Sequence, residues 1–174
     1  YNFLPSIAFS RVRAEKTHIV SMNTYFRHPS KMMSKGSVVR QDSSLSSSGG
    51  EYFKKAASCR IAGMPLFVSE YNHCYWNQYE YEGGIFFPAY SALQNFAGIT
   101  VHQSPVMEEN RPLRLENFRV ATSPTKRANE FLAMSLFRRG DVLSSPHRVE
   151  LVYPAKFFQG GIAGAGAVNT EQST

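Results

Sequence analysis

The sequence predicts an α/β protein built from parallel βα units. Three observations carry that expectation. Short apolar runs of strand length recur at residues 17–22 (THIVSM), 65–69 (PLFVS) and 98–102 (GITVH). Each is followed by a stretch with apolar residues at three- and four-residue spacing, the period of an amphipathic helix. Strands of about five residues alternating with helices of about 12–15 are the signature of parallel βα connections.

The elements follow in order. Residues 1–16 carry an irregular apolar pattern, a helix that Pro5 begins or interrupts. The first strand, 17–22, leads into Asn23, Thr24 and Tyr25 at its C-terminal end. A polar stretch, 27–50, contains Pro29, Gly36, a serine cluster and Gly49-Gly50. A loop this long is usually functional or disordered. A helix is predicted over 51–62, with Tyr52, Phe53, Ala56 and Cys59 on one face and Gly63 as its stop. The second strand, 65–69, runs into an aromatic, amide-rich loop, 71–81. A second helix is predicted over 83–96, with Phe86, Ala89, Tyr90 and Leu93 on one face. Pro88 then belongs to its first turn, where a missing N–H is tolerated. The third strand is 98–102, and a loop spans 103–122. Ser123-Pro124 is an N-cap and N1 pair for a helix over 125–139, with Ala128, Phe131, Leu132, Ser135 and Leu136 on one face. Gly140 ends it. Residues 148–153 alternate like a strand of another layer, and 160–174 form a Gly/Ala-rich, then polar, tail.

Three such units cannot close an eight-stranded barrel, which takes ~250 residues. The pattern fits either a small open α/β sheet or part of a barrel whose remainder lies outside the chain. The domain reading is residues 1–143 as the βα region and 144–174 as a strand and tail leading to a further region.

Composition narrows the function classes. The chain of 174 residues is 43% hydrophobic and 13% aromatic, enough apolar material for a core. The net charge of +6 is scattered, with no stripe or run of the kind nucleic acid requires. No run reaches the ~18 apolar residues that span a bilayer. Cys59 and Cys74 make no disulfide framework. The chain opens on Tyr1 with no signal-peptide pattern, so its start reads as internal or processed. Localisation stays unassigned, with secreted or periplasmic as the working expectation.

Functional groups of parallel α/β folds gather at the C-terminal ends of strands. Here those ends supply Asn23, Tyr25 and His28, then Glu70, Asn72 and His73, then His102 and Gln103. A carboxylate ending an apolar strand, as Glu70 does, needs partners to be buried. A glutamate capping the next element or pairing with an arginine meets the same pattern. Trp76 and Tyr75 are candidates for a ligand-stacking platform or for simple loop packing. His28, His73, His102 and Glu70 lack the close H-x-H or H-x-x-x-H spacing of a metal site, so no metal and no cofactor are expected. Arg40-Gln41-Asp42 is a candidate cleft lining from the long loop. Asn129-Glu130 falls inside the last helix, on its surface.

A resemblance sharpens this. Pro65–His102, PLFVSEYNHCYWNQYEYEGGIFFPAYSALQNFAGITVH, resembles the seventh-to-eighth-strand region of clan A glycoside hydrolases. These have an apolar strand ending in the nucleophile Glu, an Asn- and aromatic-rich loop, a helix of the type A-Y-x-A-L-Q, then an apolar strand. Asn23-Thr24-Tyr25-Phe26-Arg27-His28-Pro29 is similar to their sixth-strand motif. The likeness is to large β-galactosidase- or agarase-like enzymes and covers residues 17–153. It implies the C-terminal part of a (β/α)₈ TIM barrel and retaining hydrolysis of O-glycosidic bonds in an oligo- or polysaccharide. Glu70 is then the nucleophile, and Tyr25 orients it. Asn23, His28, Asn72, His73, Trp76 and His102 are then substrate-binding. Asn95-Phe96-Ala97-Gly98 departs from the acidic turn the family often has before strand eight. The family's acid/base Asn-Glu pair, at the end of strand four, has no counterpart here. The missing remainder of the same enzyme is therefore an implied partner. The competing readings are a non-catalytic sugar-binding or scaffolding α/β protein and a small His/Glu metalloprotein.

Overall fold

The computed structural model describes residues 18–46, 50–105, 107 and 117–152. The expectations for 1–16 and for the tail from 160 onward lie outside these residues. The chain is a mixed α/β structure in the order β1 (Val20–Phe26), β2 (Ser30–Met33), α1 (Glu51–Ala57), β3 (Leu66–His73), α2 (Glu82–Leu93), β4 (Gly98–Val101) and α3 (Pro124–Ala133). A π-helical segment (Met134–Arg139) continues α3. Three strands form one sheet in the order β1-β3-β4, and both pairings are parallel. Neighbours in the sheet are thus neighbours in the chain, with α1 and α2 as the two connections.

Both helices cover the same face. The core joins Val20 and Phe26 of β1, Leu66, Val68 and Tyr71 of β3, Tyr52, Phe53 and Ala56 of α1, and Phe87 of α2. The ring of Phe87, fully buried, stacks on Tyr71 with centroids 4.2 Å apart and meets Tyr52 at 5.0 Å. Burying a side chain of this size stabilises by ~1.5–3 kcal/mol, so this aromatic cluster fixes α2 on the sheet.

A β-bulge interrupts β3. Met22 pairs with Val68, but the next residue, Asn23, pairs with Glu70. On the other side Val68 pairs with Ile99 and Tyr71 with Val101. Both neighbours therefore see one extra residue, and β1 identifies it as Ser69. Side chains alternate along a strand, so an extra residue reverses the alternation beyond it. Leu66 and Val68 face the helices before the bulge, and Tyr71 and His73 face them after it.

Several expectations need correction. β1 and β3 run four residues further than their apolar runs, so Tyr25 and Glu70 lie within strands rather than beyond strand ends. β3 is the central strand, and β1 pairs with it as far as Phe26 opposite His73, which keeps the polar Asn72 and His73 in the ladder. α1 stops at Ala57, and the following turns close by i→i−3 bonds such as Cys59 N–H to Ala56 O. Pro88 is the seventh residue of α2, not part of its first turn. The inward residues of α2 are Gly83, Gly84, Phe87, Ser91 and Ala92, while Leu93 is exposed. Of the predicted face, Phe86 and Tyr90 are half-buried and pack against the core, and the further buried positions arise because α2 packs on two sides, against the sheet and against α3. In α3 the predicted apolar stripe faces outward. Phe131 is 67% exposed, and the buried residue is Lys126. Residues 148–152 form no strand. Val149, Leu151 and Val152 are exposed, because alternation alone supplies no partner strand. The α1 face, the Ser123 cap (its Oγ accepts from Lys126 N–H at 3.2 Å) and the left-handed Gly140 at φ 85° match the sequence reading.

Candidate functional site

The bulge determines where Glu70 points. By unbroken alternation it would follow Leu66 and Val68 into the helix layer, where an unpaired carboxylate is costly. With Ser69 inserted it lies on the opposite, open face. On β1 the residues of that face are Ser21, Asn23 and Tyr25, since Val20, Thr24 and Phe26 are buried on the helix side. The Tyr25 hydroxyl donates to Glu70 Oε2 at 2.5 Å. His102, just beyond β4, places Nδ1 4.0 Å from the same oxygen. The two side chains keep 39% and 55% of their surfaces exposed, so the carboxylate is reachable from solvent while held on one side.

An aromatic collar surrounds this pair. The Tyr25 ring makes edge contacts with His28 (5.5 Å), His102 (6.1 Å) and Phe118 (6.1 Å), and Phe118 meets both histidines at 5.7 Å. Phe118 was not foreseen. It sits in a non-periodic loop with no sequence signal, and the Ser104 N–H bond to its carbonyl (2.7 Å) brings it in. The His102 backbone is fixed from β3: its N–H donates to Tyr71 O at 2.9 Å, and its carbonyl accepts from Asn72 Nδ2 at 2.7 Å.

The long polar loop is ordered over its described part by the β3–α2 loop. Glu82, buried in the first turn of α2, accepts from Ser43 Oγ (2.6 Å) and from Ser44 N–H and Oγ (2.7 and 2.6 Å). Asn77 donates to the Arg40 and Asp42 carbonyls, each at 3.0 Å. The Gln41 side chain accepts from Gln78 N–H at 2.8 Å and donates to the Trp76 carbonyl. Asp42 accepts from the Arg27 guanidinium. These contacts hold Trp76 at φ 80°, a region non-glycine residues rarely occupy, with the residue 62% exposed.

The site residues predicted from sequence thus separate. Tyr25, Glu70, Asn23, His28 and His102 share the open face or its rim. Trp76 projects from the adjoining turn. Asn72 is buried, its amide committed to His102 and to Lys126, whose Nζ donates to Asn72 Oδ1 at 2.8 Å and His73 O at 3.1 Å. His73 turns into the helix layer, 3% exposed, with its ring 4.6 Å from that of Phe26. Burial pushes its pKa down to about 4, so the ring is neutral at pH 7. Asn129 and Glu130 are half-buried rather than on the surface: Asn129 donates to Glu80 O at 2.9 Å, and Glu130 accepts from Gln103.

Lys126 was also missed, because a lysine in a first helical turn reads as solvated. Burial lowers its pKa, an effect opposed chiefly by Glu80, whose own carboxyl burial raises. A small cavity lined by Asn72, His73, Gln103, Lys126 and Glu130 adjoins this cluster and does not include Glu70.

Among the described residues, no three His, Cys, Asp or Glu side chains are grouped to hold a metal ion, and no helix is long and apolar enough to cross a membrane. No protein-family model, curated protein or solved structure matches the chain.

Proposed function

We propose that this chain carries the last three βα units of a (β/α)₈-barrel retaining glycosidase, with Glu70 as nucleophile and an oligo- or polysaccharide as substrate. The observation that carries the reading is the Tyr25 hydroxyl bonded to the Glu70 carboxylate on the face of the sheet away from the helices. A nucleophile must be ionised, oriented and reachable. A hydrogen bond to the charged form favours ionisation, the bulge aims the group, and part of it is open to solvent. The sheet order supports the barrel assignment: parallel strands in sequence order with helices on one face are what an arc of a singly wound barrel would present, with no reversal as in doubly wound sheets among the described strands.

In this reading Glu70 attacks the anomeric carbon and forms a glycosyl-enzyme. A second carboxyl group ~5–5.5 Å away protonates the leaving oxygen and then activates water. That group is assigned to the remainder of the enzyme, outside the described residues. Asn23, His28 and His102 are placed to meet sugar hydroxyls, and Trp76 to stack on a sugar ring.

The test uses the full-length protein and a panel of 4-nitrophenyl β-glycosides, galactoside first. Glu70→Gln is expected to remove turnover by about a thousandfold or more, and a 2,4-dinitrophenyl 2-deoxy-2-fluoroglycoside of the accepted sugar is expected to label the peptide containing Glu70. Turnover within a few-fold of wild type overturns the nucleophile assignment. Oligosaccharide binding without turnover of any panel member decides for a non-catalytic carbohydrate-binding protein.

A further inference from the structure

We infer that Ser69 is a positioning residue for Glu70, acting through a hydroxyl relay across the bulge. The inference rests on the nucleophile reading above for its catalytic consequence, but its structural half stands alone. The Ser69 hydroxyl donates to Asn23 Oδ1 at 2.7 Å, and its oxygen lies 2.8 Å from Ser21 Oγ. One hydroxyl has one proton, so with Ser69 donating to Asn23 the Ser21 hydroxyl is the donor to Ser69. The Met22 carbonyl, 3.5 Å away, offers a weaker alternative acceptor. Three side chains on two strands are thereby linked in a row, Ser21 to Ser69 to Asn23, at the point where the ladder shifts register between Met22 and Asn23.

An extra residue is left unpaired by the ladder and frees the strand to bend. An apolar side chain at position 69 would leave the extra residue without these cross-strand bonds. The relay replaces them, tying the extra residue to β1 on either side of the register shift. Asn23 is the direct partner of Glu70 across the strands, and Tyr25, which bonds the carboxylate, is two residues further along β1. Ser69 therefore sets the distance between the strand that carries the carboxylate and the strand that carries its donor. Asn23 acquires a second role beside the proposed sugar contact of its amide N–H groups: its amide oxygen accepts the end of the relay.

The experiment compares Ser69→Ala, Ser69→Val and Ser69→Thr in the full-length protein, with Asn23→Ala breaking the relay from the other strand. The first readout needs no activity. With 3-fluorotyrosine at position 25, the ¹⁹F resonance reports the hydrogen bond of that hydroxyl, and Glu70→Gln provides the shift for the perturbed bond. Ser69→Ala, Ser69→Val and Asn23→Ala are expected to move the resonance in the direction of Glu70→Gln, and Ser69→Thr to leave it in place. The second readout is the kinetic split on the accepted aryl glycoside. In Ser69→Ala and Ser69→Val misalignment is expected to lower kcat about tenfold with KM within about twofold, because alignment matters at the reacting atoms, and threonine restores kcat. An unchanged resonance in Ser69→Ala and Asn23→Ala overturns the positioning role. A shifted resonance in a full-length protein without glycosidase turnover keeps it and overturns the glycosidase reading instead.

Discussion

Replacing His73 with glutamine removes a titration that the fold makes unfavourable. The ring is buried between Phe26 and Tyr52, and it faces Glu82, Lys126, Asn77 and Asp42. Burial is the largest influence and lowers its pKa from 6.5 to about 4. Lys126 adds to the lowering, while Glu82, Asn77 and Asp42 act against it. In the unfolded chain the ring takes up its proton near 6.5, and in the folded chain only near 4. Between those values the unfolded state binds more protons, so stability falls as pH falls through the window. At about 1.4 kcal/mol per tenfold in proton affinity, the full loss is about 3 kcal/mol. Above the window His73 contributes no pH dependence. The assay is urea denaturation of the full-length protein and of His73→Gln from about pH 7 to about pH 4. Glu80 and Glu130, whose carboxyl pKa values burial raises, contribute the opposite slope to both proteins and drop out of the difference. The wild type is expected to lose about 3 kcal/mol more than the variant. Parallel stability curves would refute the claim that a neutral imidazole is buried here.

Three further outcomes follow from named contacts. Lys126→Met keeps the stem but deprives Asn72 Oδ1 and His73 O of their donor and leaves buried Glu80 without its cation; a loss of ~3–5 kcal/mol is expected by calorimetry. Gly84→Ala, a change that helps most helices, is expected to destabilise by ~1–3 kcal/mol, because the new methyl would sit 2.5 Å from the Asn129 Cα and force α2 from α3; a raised melting temperature would contradict that packing. On the proposed glycosidase reading, Tyr25→Phe is expected to lower kcat about tenfold, the low end for a bond to a partly exposed charged group, and to leave the melting temperature nearly unchanged; turnover equal to wild type would remove Tyr25 from the proposed mechanism.

Much of the fold was legible in local chemistry. Helix period and apolar runs located every strand of the sheet and the three helices among the described residues, and Ser123-Pro124 and Gly140 marked the ends of the last helical stretch. These signals are local: a cap or a period is written within one turn of chain. Element lengths were not legible, because Tyr71, Asn72 and His73 look like loop residues until β1 is laid beside them. Helix phase was only partly legible where a helix packs on two sides, as in α2, and was lost where its buried residue is a lysine, as in α3.

The candidate site divides the same way. Sequence alone identified Glu70 and Tyr25 as polar groups near two strand ends, and the resemblance supplied their roles. Only the tertiary structure decided that they face each other. Period-two alternation carries no memory of an inserted residue, so Glu70 would have been counted with Leu66 and Val68. The Ser69 bulge becomes visible only when β1 and β4 are laid beside β3, and it places Glu70 on the open face and His73 in the core. Residue types record what chemistry a strand can offer; which face offers it depends on register, and register is a property of pairs of strands.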